Sequence, residues 1–219
     1  MIDVKNVRTF GWGEALHGMR NSYNSWEKQD SKMTYLSSGL FYLNIGPEDL
    51  ALCKKLAKAG GSHAKFRRMI TIYCDITAPL YWWKEFDTYK VGTVANSSST
   101  MHTIMEKPFD IWSFSTENLL MLSVEHMSQL IDILNIWRDK YLAETDEELK
   151  KKYWWQIIQL LPTSYNQKRT VMLNYEVAAH MYAERKNHKL KEWRTFCEEF
   201  IEKLPYADEL ITMKEGSDE

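Results

Sequence analysis

The chain has 219 residues, and its 28 Lys and Arg residues nearly balance its 30 Asp and Glu residues, which leaves a formal net charge of −2 at pH 7. This balance excludes a uniformly basic surface for a nucleic-acid polymer and an extremely acidic, solvating chain. The length suffices for one domain with a sizeable core, which we expect at residues 1–208, followed by a frayed acidic tail at residues 209–219.

The predicted elements of the first half alternate between strand and helix. Gly46-Pro47 and Gly60-Gly61 bound one clear helix, and the residues from Met69 to Ile76 alternate as a strand should. In order, we expect a strand at residues 2–8, a helix from Trp12 to Arg20, strand-like stretches between Met33 and Ile45, a helix from Pro47 to Ala59, a strand from Phe66 to Ile76 and a short helix from Leu80 to Phe86.

The second half is predicted to be mostly helical, so the fold class is α+β. Ser115 and the capping-box pattern Thr145–Glu148 indicate two helix starts, and Thr163 or Ser164 indicates a third. We expect a polar loop from Val91 to Thr103, then helices from Thr116 to about Ala143, from Asp146 to Leu161, over residues 163–188 and from Leu190 to Leu204.

Cysteine usage and the absence of long apolar stretches bear on the compartment. Cys53, Cys74 and Cys197 are odd in number and have no metal-ligand spacing. No apolar stretch reaches the roughly 20 residues that span a bilayer, and the start lacks the features of a signal peptide. We therefore expect a cytoplasmic protein with free, buried thiols, no membrane partner and no metal site.

The helix predicted over residues 163–188 carries an unusual polar stripe. At about 100° per residue, Asn174, Met181, Arg185 and His188 fall nearly on one line. Such a stripe can present an amide, an arginine and a histidine to an anionic ligand, whereas the alternative is the solvated edge of an amphipathic helix.

Two further segments are candidates for anion binding. Asn96–His102 concentrates hydroxyl groups, an amide and an imidazole, which hold a phosphate or a base edge without a full charge; the alternative is a solvated loop. Gly60–Arg68 joins two glycines to a local excess of positive charge, and its alternative is a surface turn that leads into a strand.

The order of these features resembles the flavin-dependent thymidylate synthases, the ThyX-like or thymidylate synthase complementing family, over residues 1–205. Leu161-Pro162 is followed by Asn174 after twelve residues and by Arg185 after eleven more, which matches the family without a gap. The resemblance implies that fold, with a small antiparallel sheet and a helix-rich second half.

The family's signature, Arg-His-Arg-x-x-Ser-x-Asn-Glu-x-Ser-x-Arg-Tyr, is matched only in part. Asn96 and Ser99 agree with it. Tyr89-Lys90-Val91, or Thr88-Tyr89-Lys90 with one insertion, replaces the Arg-His-Arg triplet, Ser97 replaces the Glu, and Met101 replaces the later Arg. Two lost phosphate-binding arginines, the second at Ile158, remove about 3–6 kcal/mol of charge-assisted contacts. Side chains that could replace them are those of Lys90, His102, Arg67 and Arg68.

The resemblance implies a pyrimidine-nucleotide site and a flavin site, and the implied activity is transfer of a one-carbon unit from methylenetetrahydrofolate to C5 of dUMP. FAD would be the cofactor, NADPH the reductant, a methyl or a hydroxymethyl group the product, and a homotetramer the assembly. The implied nucleotide-binding residues are Ser97, Ser98, Ser99, Lys90 and Arg185, of which Ser99 and Arg185 act at the reacting group, and the implied cofactor-binding residues are Asn96, Asn174, His180 and His188.

Two other functions remain open at this point. A non-catalytic homologue that sequesters or senses a nucleotide would explain the missing triplet, and a purely structural subunit would need none of these residues. The nine Trp and twelve Tyr residues suit a pocket for a flat ligand or a subunit interface, but an aromatic-rich core would need the same composition.

Overall fold

A computed structural model describes residues 2–35 and 41–214, and it confirms an α+β fold with a helix-rich second half. The strands are β1 (Asp3–Phe10), β2 (Lys32–Tyr35), β3 (Phe41–Asn44), β4 (Thr71–Pro79), β5 (Val94–Ser97) and β6 (Asn166–Asn174). The α-helices are α1 (Trp12–Met19), α2 (Pro47–Ala59), α3 (Leu80–Phe86), α4 (Thr100–Thr103), α5 (Met121–Ala143), α6 (Glu147–Leu160), α7 (Tyr175–Arg185) and α8 (Lys191–Glu199).

The strands form two small sheets. Four of them lie in the order β1-β4-β6-β5, and β2 pairs with β3 in antiparallel register, with Lys32 opposite Asn44 and Met33 opposite Leu43. Residues 36–40 of the strand-like stretch predicted between Met33 and Ile45 lie outside the described residues. The predicted small antiparallel sheet is confirmed.

The described residues divide into two compact units, each with its own core. The first unit holds residues 2–3, 76–88 and 96–170, and the second holds residues 4–35, 41–75, 89–95 and 171–214. In the first unit α5 packs along α6. Its core is formed by the buried side chains of Ile104, Met105, Phe109, Phe114, Ile131, Leu134 and Ile157.

The second unit has an aromatic core. The rings of Trp12 and Tyr175 meet edge to face with centroids 5.0 Å apart, and the Tyr175 hydroxyl donates to the Pro205 carbonyl over 2.9 Å. Burial raises the pKa of Tyr175, so this hydroxyl stays protonated. Leu210 and Ile211, in a π-helix at Asp208–Thr212, are also buried, and residues 215–219 of the expected tail lie outside the described residues.

Helix α2 begins where Gly46-Pro47 predicted, and a distant aspartate explains how its first turn is satisfied. The Asp30 carboxylate accepts hydrogen bonds from the backbone N–H groups of Glu48, over 2.9 Å, and Asp49, over 3.0 Å. A Cβ atom on Gly46 would lie 2.2 Å from the carboxyl carbon of Asp30. Glycine is therefore required at residue 46 by close approach, and Pro47 occupies the first helical position.

The helix predicted over residues 163–188 is wrong in its first half. Residues Asn166–Asn174 form β6, in which Gln167, Val171 and Leu173 are buried while Lys168 is exposed. This two-residue alternation determines the local structure, because one face of the strand packs inward. Helix α7 begins only at Tyr175, and Thr163 and Ser164 cap no helix.

Two other elements differ from the prediction, and the bounds predicted for α6 are confirmed within one residue although its cap is a different residue. Helix α5 begins at Met121 and not at Thr116, and the Ser115 hydroxyl donates to Asn166 Oδ1 over 2.8 Å and so caps nothing. Helix α6 is capped by Asp146, whose Oδ1 accepts from the N–H groups of Glu148 and Leu149. The predicted polar loop from Val91 to Thr103 contains β5 and α4.

Two further elements have bounds that differ from the prediction, and four others agree with it. The strand expected from Phe66 starts at Thr71, since His63–Arg68 forms a 3-10 turn, and the last predicted helix is α8 followed by a 3-10 turn at Ile201–Lys203. The predicted strand at residues 2–8 and helices at Trp12–Arg20, Pro47–Ala59 and Leu80–Phe86 are confirmed within two residues.

Candidate functional site

Arg185, the last residue of α7, is held by two aromatic side chains of the second unit. Its Nε donates to the Tyr89 hydroxyl over 2.8 Å. Its guanidinium carbon lies 5.6 Å from the centre of the Tyr89 ring and 4.8 Å from the centre of a Trp193 ring. We call Tyr89 and Trp193 the aromatic clamp. A guanidinium fixed in this way keeps a defined orientation, as recognition of a phosphate or a base edge requires.

The two histidines assigned to the cofactor lie at this same clamp. The exposed His180 ring meets the Tyr89 ring edge to face, with centroids 5.7 Å apart. The His188 ring meets Trp193 edge to face, and its Nδ1 accepts a hydrogen bond from the Leu190 N–H over 3.2 Å. When neutral, His188 therefore carries its proton on Nε2. His188 lies beyond the end of α7, so the predicted single-helix stripe is wrong, although all four of its members lie in the second unit together with Tyr89.

Asn174 has a structural role that the stripe did not predict. It is the N-cap of α7, and its Oδ1 accepts a hydrogen bond from the Val177 N–H over 3.0 Å. The residue is 9% exposed. A Cβ atom on Gly92 would lie 2.8 Å from Asn174 Nδ2. The turn at Gly92 thus covers the amide that the resemblance assigns to a flavin.

Gly92 itself has a φ of +80°, a left-handed conformation that favours glycine, so this turn depends on glycine both for its backbone and for its approach to Asn174. Lys90, two residues earlier, is exposed, and within the described residues its side chain makes no hydrogen bond or ion pair. It follows Tyr89 directly, so the second unit places a lysine next to the residue that holds Arg185.

The serine-rich segment Asn96–Ser99 lies in the first unit, at the end of β5. The backbone N–H and the hydroxyl of Ser98 both donate to the Lys168 carbonyl, over 2.9 and 3.1 Å. Ser99 is the N-cap residue of α4 without a side-chain cap, and within the described residues the side chains of Asn96, Ser97 and Ser99 make no hydrogen bond. The hydroxyls that remain to meet a ligand are therefore those of Ser97 and Ser99.

A buried amide supports this segment, and the sequence did not indicate it. Gln167, which is 8% exposed, donates through Nε2 to the Ser98 carbonyl over 3.2 Å and to Thr100 Oγ1 over 3.0 Å. Arg169 donates from Nε to Gln167 Oε1 over 3.0 Å and stacks 4.2 Å from the centre of a Trp83 ring. A strand predicted over residues 166–174 would place Gln167 and Arg169 on one face, whereas the predicted helix does not.

The other side chains that could replace the lost arginines differ in whether they are exposed and free to contact a ligand. Arg67 is buried and bound to Glu176 Oε2 through Nε, over 2.8 Å, and to the Leu210 carbonyl through Nη1, over 2.9 Å. Its charge is therefore used within the second unit. Ile158 packs against the core of the first unit, so an apolar side chain suits that position. Arg68 and His102 are exposed.

The three cysteines are free and buried, as predicted. Burial raises the pKa of each thiol to about 12, so none is a thiolate at neutral pH. Among the described residues, no group of three His, Cys, Asp or Glu side chains could hold a metal ion, and no helix is long and apolar enough to cross a membrane.

The fold is that of the flavin-dependent thymidylate synthases. One structure of thymidylate synthase X (ThyX) from Helicobacter pylori with FAD and dUMP matches with a TM-score of 0.66 and 15% identity over 96% of this chain and 97% of the other. A second structure of ThyX from Helicobacter pylori, complexed with FAD and dUMP, matches with a TM-score of 0.63 and 15% identity over 94% of this chain and 98% of the other. No protein-family model and no curated protein matches the chain. At this identity the likeness establishes the fold alone.

The residues assigned to FAD fit that cofactor only in part. Among the described residues, the side chains of Asn96 and His180 make no hydrogen bond and remain able to meet a ligand. Asn174 Oδ1 and His188 Nδ1 already accept backbone N–H groups. The set does not fit as a complete flavin site, and we derive no catalytic step through FAD.

Proposed function

We propose that this protein binds a pyrimidine nucleotide. The observation that supports this proposal most directly is the fixed position of Arg185. Its Nε donates a hydrogen bond to the Tyr89 hydroxyl, and its guanidinium lies against both rings of the aromatic clamp. Because the guanidinium is held before a ligand arrives, less conformational entropy is lost on binding. The dUMP in the two ThyX structures of the same fold supports a nucleotide as the ligand.

The proposed nucleotide contacts are charged groups in the second unit and hydroxyl groups in the first unit. Arg185 and Lys90 supply positive charge to the phosphate or the base edge. Ser97 and Ser99 supply hydroxyl donors, and Ser98 contributes through the backbone conformation that its bonds to Lys168 fix. In the catalytic form of the proposal, Ser99 and Arg185 act at the reacting group.

The catalytic form of the proposal is one-carbon transfer from methylenetetrahydrofolate to C5 of dUMP, which yields a methyl or a hydroxymethyl product. FAD, if bound, would carry the reducing equivalents that NADPH would supply for the methyl product, whereas the hydroxymethyl product omits that reduction. Asn96, Asn174, His180 and His188 are the residues proposed to meet the cofactor. In this form, Asn174 Oδ1 has to give up the hydrogen bond from the Val177 N–H that caps α7, or Asn174 Nδ2 has to meet the cofactor after the Gly92 turn moves.

A non-catalytic nucleotide-binding protein is the second candidate, and two contacts favour it. Asn174 caps α7 and His188 accepts the Leu190 N–H, so two of the four cofactor residues serve the second unit itself. Tyr89-Lys90-Val91, or Thr88-Tyr89-Lys90 with one insertion, also stands where the resembled family has Arg-His-Arg. This form keeps the nucleotide site at Arg185 and lacks flavin chemistry.

The experiment that separates these forms starts with the visible absorption spectrum of the purified protein, before and after incubation with FAD and gel filtration. Calorimetric titration with dUMP follows, and then turnover with dUMP, methylenetetrahydrofolate, FAD and NADPH. Retained flavin and a C5-modified nucleotide support the catalytic form. Binding of dUMP by a colourless, inactive protein supports the second form. Absence of dUMP binding contradicts both and leaves a structural subunit.

We also propose a cytoplasmic homotetramer. Leu120, Met121 and Leu122 at the start of α5 are exposed apolar side chains within the first unit, and such a cluster suits a subunit interface. Free, buried thiols suit a reducing compartment. Sedimentation velocity of the purified protein tests the assembly, and a monomer at micromolar concentration contradicts it.

A further inference from the structure

A cleft in the second unit gives a role to the basic segment Gly60–Arg68. The cleft has a volume of about 460 Å³ and lies among α1, α2 and the 3-10 turn His63–Arg68. This volume lies within the usual range for small-molecule sites. Its lining includes neither Arg185 nor Lys90, so it is distinct from the proposed nucleotide site.

The floor of the cleft is apolar and its rim is polar. Met19, Leu56 and Phe66 are buried side chains that line it. The described residues that line the cleft include Lys65 and His63 but no Asp or Glu. An unopposed cation above an apolar floor suits an anion that carries an apolar group.

The polar groups on the rim are available. Within the described part of the chain, the side chains of Ser62, His63 and Lys65 make no hydrogen bond or ion pair. Arg67, in the same turn, is by contrast bound to Glu176. Within this segment, Arg67 therefore belongs to an internal ion pair, whereas Lys65 faces the open cleft.

Asn21, which also lines the cleft, is oriented by a neighbouring ring. Its Oδ1 accepts a hydrogen bond from Trp26 Nε1 over 2.8 Å, and the Trp26 ring stacks on His17 with centroids 6.4 Å apart. Since the oxygen end of the amide is engaged, the amide presents its NH₂ end to other partners. Asn21 thus adds a donor to those of Ser62, His63 and Lys65.

We propose that this cleft binds a phosphate monoester whose organic part is apolar. Its rim side chains supply donors for the three terminal oxygens of a phosphate, which is more than a two-oxygen carboxylate needs. Lys65 provides the charge, and Leu56 and Phe66 contact the apolar part. Phenyl phosphate is the simplest compound with both features.

The test is calorimetric titration of the full chain with phenyl phosphate, inorganic phosphate and phenylacetate. We expect phenyl phosphate to bind more tightly than the other two. We expect Lys65→Gln to raise its Kd about tenfold or more, as loss of a charge-assisted contact does. Lys58→Gln is the matched control, because Lys58 is an exposed lysine of α2 outside the cleft, and it should change the Kd less than about twofold.

A parallel titration of Arg185→Ala separates this cleft from the nucleotide site. Unchanged phenyl phosphate binding in that variant supports an independent cleft, and lost binding assigns the ligand to Arg185 and overturns the proposal. Equal effects of Lys65→Gln and Lys58→Gln, tighter binding of phenylacetate, or no binding of phenyl phosphate up to about 10 mM also overturns it. Equal affinities for phosphate and phenyl phosphate overturn the role of the apolar floor.

Discussion

The Nε of Arg185 donates a 2.8 Å hydrogen bond to the hydroxyl of Tyr89, and the two residues are 96 positions apart in the chain. Tyr89 belongs to the triplet that replaces Arg-His-Arg in either alignment, and Arg185 is the arginine that matches the family after Leu161-Pro162. The second unit therefore links its divergent segment and its matching segment through one side-chain contact.

Replacing Tyr89 by Phe tests whether this contact prepares Arg185 for a nucleotide. The variant keeps the ring and removes the oxygen that accepts from Arg185 Nε. A hydrogen bond to a charged group contributes about 1.5 kcal/mol, so we expect the Kd for dUMP to rise about tenfold by calorimetry. Tyr73→Phe is the control, because Tyr73 is exposed, its ring meets that of Phe10 edge to face, and within the described residues its hydroxyl makes no hydrogen bond. Equal Kd values for all three proteins would show that the hydroxyl plays no part.

Substitution of Gly92 by Ala should destabilise the protein through contact with Asn174. The added Cβ atom would lie 2.8 Å from Asn174 Nδ2 and 3.1 Å from Val177 Cγ2, at a φ of +80°. We expect a loss of about 2–4 kcal/mol in the free energy of unfolding, measured with urea, from overpacking and backbone strain together.

Gly61→Ala is the matched control for that experiment. Gly61 also has a positive φ, of +52°, but no atom lies within 4 Å of an added Cβ. This variant should lose only about 1 kcal/mol, which is the backbone cost alone. If the two alanine variants are equally stable, the close approach to Asn174 has no energetic consequence.

Asp30 should give α2 a pH-dependent stability. Burial by itself raises the pKa of Asp30, but the N–H groups of Glu48 and Asp49 that donate to its carboxylate outweigh this, so the pKa lies below its ordinary value of 3.8. A lowered folded-state pKa stabilises the fold at pH above 3.8, and this stabilisation is lost as the pH falls through the folded-state pKa.

The corresponding variant is Asp30→Asn. At pH 7 we expect it to lose about 1 kcal/mol of unfolding free energy, as loss of a helix cap does, and the difference from the wild type should shrink as the pH falls below 3.8. Asp132→Asn, at an exposed position of α5, is the control and should change little at either pH. A difference that stays constant from pH 7 down to acid unfolding would contradict the charged cap.

Gln167 should control the order of the serine-rich segment. Gln167→Ala removes the donors to the Ser98 carbonyl and Thr100 Oγ1. We expect faster amide hydrogen exchange at residues 97–100 and a loss of about 1–3 kcal/mol in stability, since buried polar groups lose their partners. Gln156→Ala, at a half-buried position of α6 outside this segment, should leave exchange in residues 97–100 unchanged. Unchanged exchange in both variants would show that Gln167 does not support the segment.

Much of the first half could be predicted because its signals are local. Gly46-Pro47 and Gly60-Gly61 bound α2, and the alternation after Met69 gave β4. The helix predicted over residues 163–174 is wrong because Thr163, Ser164 and an uninterrupted run without Pro or Gly also suit a helix. The burial of Gln167, Val171 and Leu173 on one face of β6 depends on the neighbouring strands, which a local reading does not contain.

The sequence predicts which residues form the candidate site better than it predicts the role of each residue. Asn174 follows a strand and precedes a helix, so a short polar side chain there acts as a cap, and this became visible only when the strand was known. The contact of Tyr89 with Arg185 joins residues far apart in the chain, and no spacing rule indicates it. The resemblance therefore predicts which residues belong to the candidate site, whereas the contacts that these residues make could be described only from the fold.

The most direct test of nucleotide binding is a calorimetric comparison of dUMP binding by the wild type, Arg185→Ala and Arg8→Ala. Arg8 is an exposed arginine of β1, and within the described residues its side chain has no partner, so it controls for the loss of one positive charge. We predict that Arg185→Ala weakens binding about 10- to 100-fold and that Arg8→Ala changes it less than about twofold. Equal affinities of all three proteins for dUMP, or no binding by the wild type, would contradict the proposed function.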